Sequence, residues 1–139
     1  SFSFQEFSQR YAQVVNTPSL PNFRRQDTSN RQNSIDNLNE YTQQEFQIRT
    51  QDLFDQSLAL YNEMLAAGVA KECARDVLPL STPTKLYMNG TLRSWLHYTA
   101  LRCANGTQLE HQLIATGVNG LLRTHFPLVA EAMWPTECP

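Results

Sequence analysis

Lysine is nearly missing from this chain. Of eleven basic side chains only Lys71 and Lys85 are lysines, so eleven less two leaves nine arginines. No apolar run approaches the roughly 20 residues that span a bilayer, and no basic-then-apolar leader is present. A membrane is therefore not an expected partner. Five glycines leave no Gly-rich phosphate loop. A net charge of −2 argues against a general nucleic-acid binder, which carries a strongly basic face. Cys73, Cys103 and Cys138 are odd in number and follow no C-x-x-C spacing, which argues against a disulfide framework and a structural zinc site. Reduced thiols in a cytoplasmic protein are the expectation. His97, Cys103 and His111 fit no common metal spacing, so no metal is expected. Neither a Ser-His-Asp nor a Cys-His arrangement can be argued from order or spacing.

What remains is a globular composition. With 139 residues, 41% apolar and 17% charged, the chain is long enough for one domain with one core and lacks the charge of a disordered segment. There are no internal repeats. The opening "SFSFQEFSQRY" begins as a half-buried strand, with Phe2 and Phe4 alternating with Ser1, Ser3 and Gln5. The phase then slips at Phe7. If the backbone stays extended, Glu6, Ser8 and Arg10 point the same way, each about 7 Å from the next. An acid, a hydroxyl and a guanidinium in one row suit either a solvated edge or a receptor for a polar ligand.

Residues 16–40 are polar, carry two prolines and read as a long loop with Arg24, Arg25 and Arg31. Those arginines fit a solvated surface or an anion site. Over 42–67 the pattern turns helical. Phe46, Leu53, Leu60 and Met64 mark one stripe, and Phe54, Leu58, Tyr61 and Leu65 widen it. Gly68 is placed to end that helix in a left-handed cap. "VAKECARDVLP" predicts a short helix stopped before Pro79. Residues 84–88 predict a strand closed by an Asn89-Gly90 turn.

Two Asn-Gly-Thr triplets read as turns whose threonines, Thr91 and Thr107, cap helices rather than as glycosylation acceptors. Thr91 starts a helix running to about Cys103. Thr107-Gln108-Leu109-Glu110 is a capping box for the next helix, and Pro127 suits the first turn of a last one through Trp134. The class is α+β: a helix-dominated single domain with a small β-sheet.

Arginine is favoured where planar, bidentate recognition is needed. Arg75 precedes a loop, and its bland role is an ion pair with Glu72 across one helical turn. Arg93 and His97 are four apart and share a face. At about 100° per residue, Arg102 lies on the opposite side of the same helix. Cations facing two ways are surface decoration in a monomer; in an oligomer they can serve two different pockets.

In this order "SFSFQEFSQRY", "CARDVLPLSTPTKLY" and "LRSWLHYTALR" resemble the flavin-dependent thymidylate synthases. The family carries an Arg-His-Arg triplet, a short spacer, a serine and then Arg-Tyr. Ser1 to Phe7 match the spacer, Ser8 the serine, and Arg10-Tyr11 the pair. The triplet itself falls before Ser1. The resemblance runs to about residue 127 and is weakest over 16–40. It implies reductive methylation of deoxyuridylate (dUMP) to thymidylate, with FAD, NADPH and methylenetetrahydrofolate, in a homo-oligomer, a tetramer in that family. It further implies that 1–139 is the C-terminal portion of one such domain, expected to show little activity by itself.

Carried over residue by residue, the resemblance assigns Glu6, Phe7, Ser8, Gln9 and Arg10 to the loop that holds dUMP, with Arg75 and Arg102. Glu6, Thr91, Arg93 and His97 fall to FAD. Arg102 matches the arginine that promotes ionisation of the uracil ring, as a nearby fixed cation does. Gln5 replaces the usual Asn, and Thr91 stands where the family commonly has Asn. The competing readings are a nucleotide-binding, oligomerising domain without turnover, and a helical scaffold whose arginines are structural.

Overall fold

The computed structural model describes residues 1–16, 18–104 and 106–134. Its elements are β1 (Phe2–Glu6), β2 (Arg25–Gln26), β3 (Ser34–Ile35), α1 (Glu40–Ala66), α2 (Lys71–Ala74) with a 3-10 turn (Arg75–Val77), β4 (Leu86–Gly90), α3 (Leu92–Arg102), α4 (Leu109–His125) and α5 (Pro127–Met133). β1 pairs with β4, and β2 with β3 as an antiparallel hairpin. The helix-dominated class with a small sheet is as expected. The described residues form two compact units, one of 4–24 and 37–87, the other of 1–3, 25–36 and 88 onward.

In the first unit α1 starts where Asn39 accepts the Thr42 N–H at 2.8 Å, which satisfies one orphan donor of the first turn. Gly68 ends it with φ 84°, and the Gly68 and Val69 amides donate back to Leu65 and Met64, a left-handed cap as predicted. The core gathers Val14, Tyr61 and Ala74, with Leu58, Met64, Leu65, Val69, Val77 and Leu78 packed against them. Phe54 is also buried. Of the two stripes on α1, the one at Phe54, Leu58, Tyr61 and Leu65 therefore faces inward. Of the other stripe, Met64 also packs against this core, whereas Phe46, Leu53 and Leu60 remain 42%, 62% and 46% exposed, so that stripe is an outer one except at its C-terminal end.

In the second unit α3, α4 and α5 pack in succession around small buried side chains, among them Thr99, Ala115 and Ala130. Thr91 caps α3 by accepting the Ser94 N–H at 3.2 Å. Pro127 occupies the first turn of α5.

Four local expectations are corrected. Asn89 and Gly90 lie inside β4 rather than in a turn after it; Phe2 packs where a Gly90 side chain would stand, so a glycine is required within the strand. The capping box does not form. α4 takes Gln108 as its N-cap with no side-chain bond, because Thr107 is drawn into the preceding turn by its N–H to Ala104 O, and Gln108 donates to Glu110 at 3.0 Å. Residues 16–40 are not all loop, since they contain the β2–β3 hairpin. Cys73 is free and exposed, but Cys103 is disulfide-bonded, so the cysteines no longer argue for a reducing compartment. Asn105 and Cys138 lie outside the described residues.

Candidate functional site

The site begins where the strand stops. After Glu6 the chain does not stay extended: Ser8 O accepts the Tyr11 and Ala12 amides at 3.2 and 3.1 Å, and the Arg10 N–H reaches Ser8 Oγ at 3.3 Å. Glu6, Ser8 and Arg10 are thus not one row. They are set around a turn. Phe7 clamps it at the other side, donating its N–H to Lys85 O at 2.9 Å and accepting from Thr84 Oγ1 at 3.3 Å.

Two clefts flank this turn within its own unit. One, of about 270 Å³, is bordered by Gln9, Arg75, Asp76, Pro79 and Thr82. The other, of about 330 Å³, is bordered by Glu6, Phe7, Ser8, Lys85 and Tyr87. Arg10 instead pairs with Glu72 at 3.1 Å and lies over the Tyr11 ring. The Arg75–Glu72 pair, the bland alternative for Arg75, is therefore not made, because Glu72 is taken from a distance in sequence by Arg10. Arg75 makes no ion pair among the described residues, and its guanidinium remains available to the cleft it borders.

The remaining predicted residues lie on or beside α3. Thr91 spends its hydroxyl on the cap, also sharing a 3.0 Å hydrogen bond with Ser94 Oγ. Arg93 and His97 are exposed one helical turn apart, as the spacing predicts. Arg102 ends α3 and borders a polar cavity of about 590 Å³, together with Asn30, Gln32, Gln108 and His111. It too has no ion pair among the described residues. Tyr98, one turn earlier, meets His111 Nε2 through its hydroxyl at 3.0 Å. Burial pushes the Tyr98 phenol up from its ordinary pKa, and the Arg102 charge pulls it partly back.

The predicted residues thus fall into two groups: Glu6 to Arg10 with Arg75 in one unit, and Thr91, Arg93, His97 and Arg102 in the other. Sequence reasoning passed over Lys85, Tyr98, Asn30 and Gln32, and weighed His111 only as a metal ligand. Lys85 had a signal, being one of two lysines in an arginine-rich chain. The Tyr98–His111 contact joins two helices and has no local signature. No cluster of metal-ligating side chains occurs among the described residues, and no described helix is long and apolar enough to cross a membrane.

This arrangement of short sheet and helices is shared with a UMP/dUMP methylase from Streptomyces cacaoi whose crystal structure contains 5-bromo-UMP. The TM-score is 0.84 at 25% identity, over 94% of this chain and 62% of that one. The model of the family described as thymidylate synthase complementing protein matches residues 1–128, and the chain belongs to that family. It is 50% identical over 133 residues to a "Probable flavin-dependent thymidylate synthase" of Paramecium bursaria Chlorella virus 1, and 48% identical over 133 residues to a flavin-dependent thymidylate synthase of Synechocystis. Each alignment takes in 96% of this chain but only 62% and 61% of the relative, so the chain spans about three fifths of their length.

Proposed function

We propose that this chain is the C-terminal portion of a flavin-dependent thymidylate synthase domain, and that the whole protein methylates dUMP reductively to thymidylate with methylenetetrahydrofolate, FAD and NADPH. The observation that carries the reading is Arg102: a guanidinium without an ion pair among the described residues, at the mouth of a polar cavity, within a chain of this family. A fixed cation beside a uracil ring favours its deprotonated form, which is the role assigned to Arg102. Arg75 and Gln9, which share a cleft, take the nucleotide with Glu6, Phe7, Ser8 and Arg10. A charge-assisted, planar donor such as Arg75 suits a phosphate or a ring carbonyl.

The donors on α3 fit a flavin. Arg93 and His97 offer a guanidinium and an imidazole on one exposed face, suited to an anionic pyrophosphate, with Thr91 at the helix start. Reduced FAD supplies the hydride when bound. Support for reading 1–139 as part of one domain is that a single family model runs through both compact units.

We also infer a homo-oligomer, a tetramer in this reading. Phe46, Leu53 and Leu60 recur every seventh residue along α1, so they share one face and leave it apolar and exposed, the kind of surface a partner subunit covers. Light scattering that finds a monomer at micromolar concentration removes this inference. The activity is tested by thymidylate formation in the whole protein, with and without Arg102→Ala. Loss of turnover with intact FAD binding supports the role of Arg102. An Arg102→Ala enzyme of undiminished rate takes it away. A protein that binds dUMP but never turns over supports the non-catalytic reading instead.

A further inference from the structure

The hairpin tip between β2 and β3 is built with unusual care for a polar loop. The Asp27 carboxylate accepts from Ser29 N at 2.8 Å, Ser29 Oγ at 2.7 Å, Asn30 N at 3.2 Å and Asn33 Nδ2 at 3.0 Å. Gln26 Nε2 donates to the carbonyls of Asp27, Arg31 and Asn33 at 3.1 to 3.2 Å. Such ties hold the tip in one shape before any ligand arrives, and preorganisation lowers the ordering cost of binding. The tip also borders the cavity at the α3–α4 corner. Asn30 Nδ2 lies 3.6 Å from the position of a Cβ on Gly106, whose φ of 93° suits glycine.

The polar inventory of this cavity is mostly neutral. Asn30 Oδ1 is engaged by the Gln32 N–H at 3.0 Å, which leaves its amide hydrogens as donors. Gln108 donates its own amide to Glu110, which leaves its carbonyl oxygen as an acceptor. The Gln32 carboxamide makes no hydrogen bond among the described residues and offers both. Donors and acceptors side by side, with the Arg102 cation beside them, match a planar ring that alternates N–H and C=O. A multiply charged anion would call for more cations than this wall supplies.

We propose that the β2–β3 tip is a specificity element of this site: Gln32 and Asn30, with Gln108 across the cavity, read the lactam edge of the ligand that meets Arg102. The proposal rests on the thymidylate synthase reading above. A lactam edge belongs both to the uracil ring of dUMP and to the pterin ring of the folate, and titration separates the two sources. Gln32→Leu removes the amide at similar size and leaves the Asp27 network in place. In the whole protein, calorimetric titration with dUMP and with methylenetetrahydrofolate is expected to show one affinity reduced about tenfold and the other within twofold, at an unchanged melting temperature. Tenfold is the scale of one hydrogen bond lost from a binding site. Gln32→Asn, which keeps a carboxamide, is expected to recover part of the loss. Both affinities unchanged, or both reduced alike, overturns the proposal while leaving the enzyme reading intact. If the unsubstituted protein binds neither ligand, the enzyme reading fails and takes the proposal with it.

Discussion

The phenol oxygen of Tyr61, a side chain with no exposed surface, accepts the backbone N–H of Val14 at 3.1 Å. This bond fixes the segment that follows the 7–12 turn to the middle of α1. Its position in the core cluster with Val14 and Ala74 links packing to the placement of the turn. Tyr61→Phe keeps the ring but orphans a buried donor, and is expected to cost about 1–3 kcal/mol. Tyr61→Ala adds a cavity and is expected to cost about 3–5 kcal/mol. Urea unfolding checks both, and equal midpoints for Tyr61→Phe and the unsubstituted protein would show that the bond contributes nothing net.

Gly90 is required by Phe2. A Cβ built on Gly90 lies 2.4 Å from Phe2 Cδ1 and 2.6 Å from Cε1, and the Phe2 ring is held edge-on to Trp95 with centroids 4.9 Å apart. Gly90→Ala is expected to destabilise by about 1–3 kcal/mol through overpacking. In a Phe2→Ala background the same change should cost much less, since the clashing ring is gone. Additive costs in the double variant would place the effect in the backbone instead.

The pair Arg10–Glu72 is half exposed on both sides, 51% and 53%, so its worth to folding is small, about 0–1 kcal/mol. Its consequence is for binding: Glu72 holds the guanidinium that the family resemblance assigns to dUMP. Glu72→Gln is expected to leave the melting temperature nearly unchanged and to tighten dUMP binding in calorimetry. Weaker binding would mean that Glu72 positions Arg10 rather than competing for it.

The elements that could be read from sequence are those fixed by one or two residues. Gly68 after α1, Thr91 before α3 and Pro127 in α5 each satisfy or block specific backbone groups, and each stands where it was expected. Periodicity did less. It found both stripes of α1, but two stripes of similar composition do not say which one faces this chain's own core. Thr107 failed as a cap because the competing turn bond to Ala104 depends on the conformation of the preceding turn. The candidate site was legible where it follows local motif, as with Arg93 and His97 one turn apart. It was illegible where a partner comes from afar. Glu72 lies three residues from Arg75 but pairs with Arg10, and His111 meets Tyr98 across a helix pair.

Of the residues proposed to hold the nucleotide, Arg75 has a cleft beside it and no ion pair among the described residues to compete for it. Arg75→Ala is expected to weaken dUMP binding by about 1.5–3 kcal/mol, the scale of a hydrogen bond to a charged group. Arg75→Lys should recover only part, because a point charge lacks the planar fork. Unchanged calorimetric affinity in Arg75→Ala would remove Arg75 from the site.

The last prediction concerns the acid that shapes the hairpin tip. Four hydrogen bonds to Asp27, led by the Ser29 hydroxyl, hold its carboxyl far below the ordinary carboxylate range. A folded-state pKa below the unfolded value means that the ionised form is the one the fold prefers. The contribution is then complete above the ordinary aspartate value of 3.8 and is lost as pH falls through the depressed folded value. The tip should therefore keep its shape through the acidic range in which an unassisted aspartate takes up its proton. Amide exchange at Ser29 and Asn30, whose N–H groups Asp27 accepts, reports this directly. Protection at these two amides is expected to persist at pH 3.5 to 4 on the native protein and to be lost at neutral pH in Asp27→Ala. Protection that fades near the ordinary aspartate value, while amides in the core of α1 stay protected, would show that the network does not hold the carboxylate. It would also leave Asn30 and Gln32 without the fixed frame on which their role as readers depends.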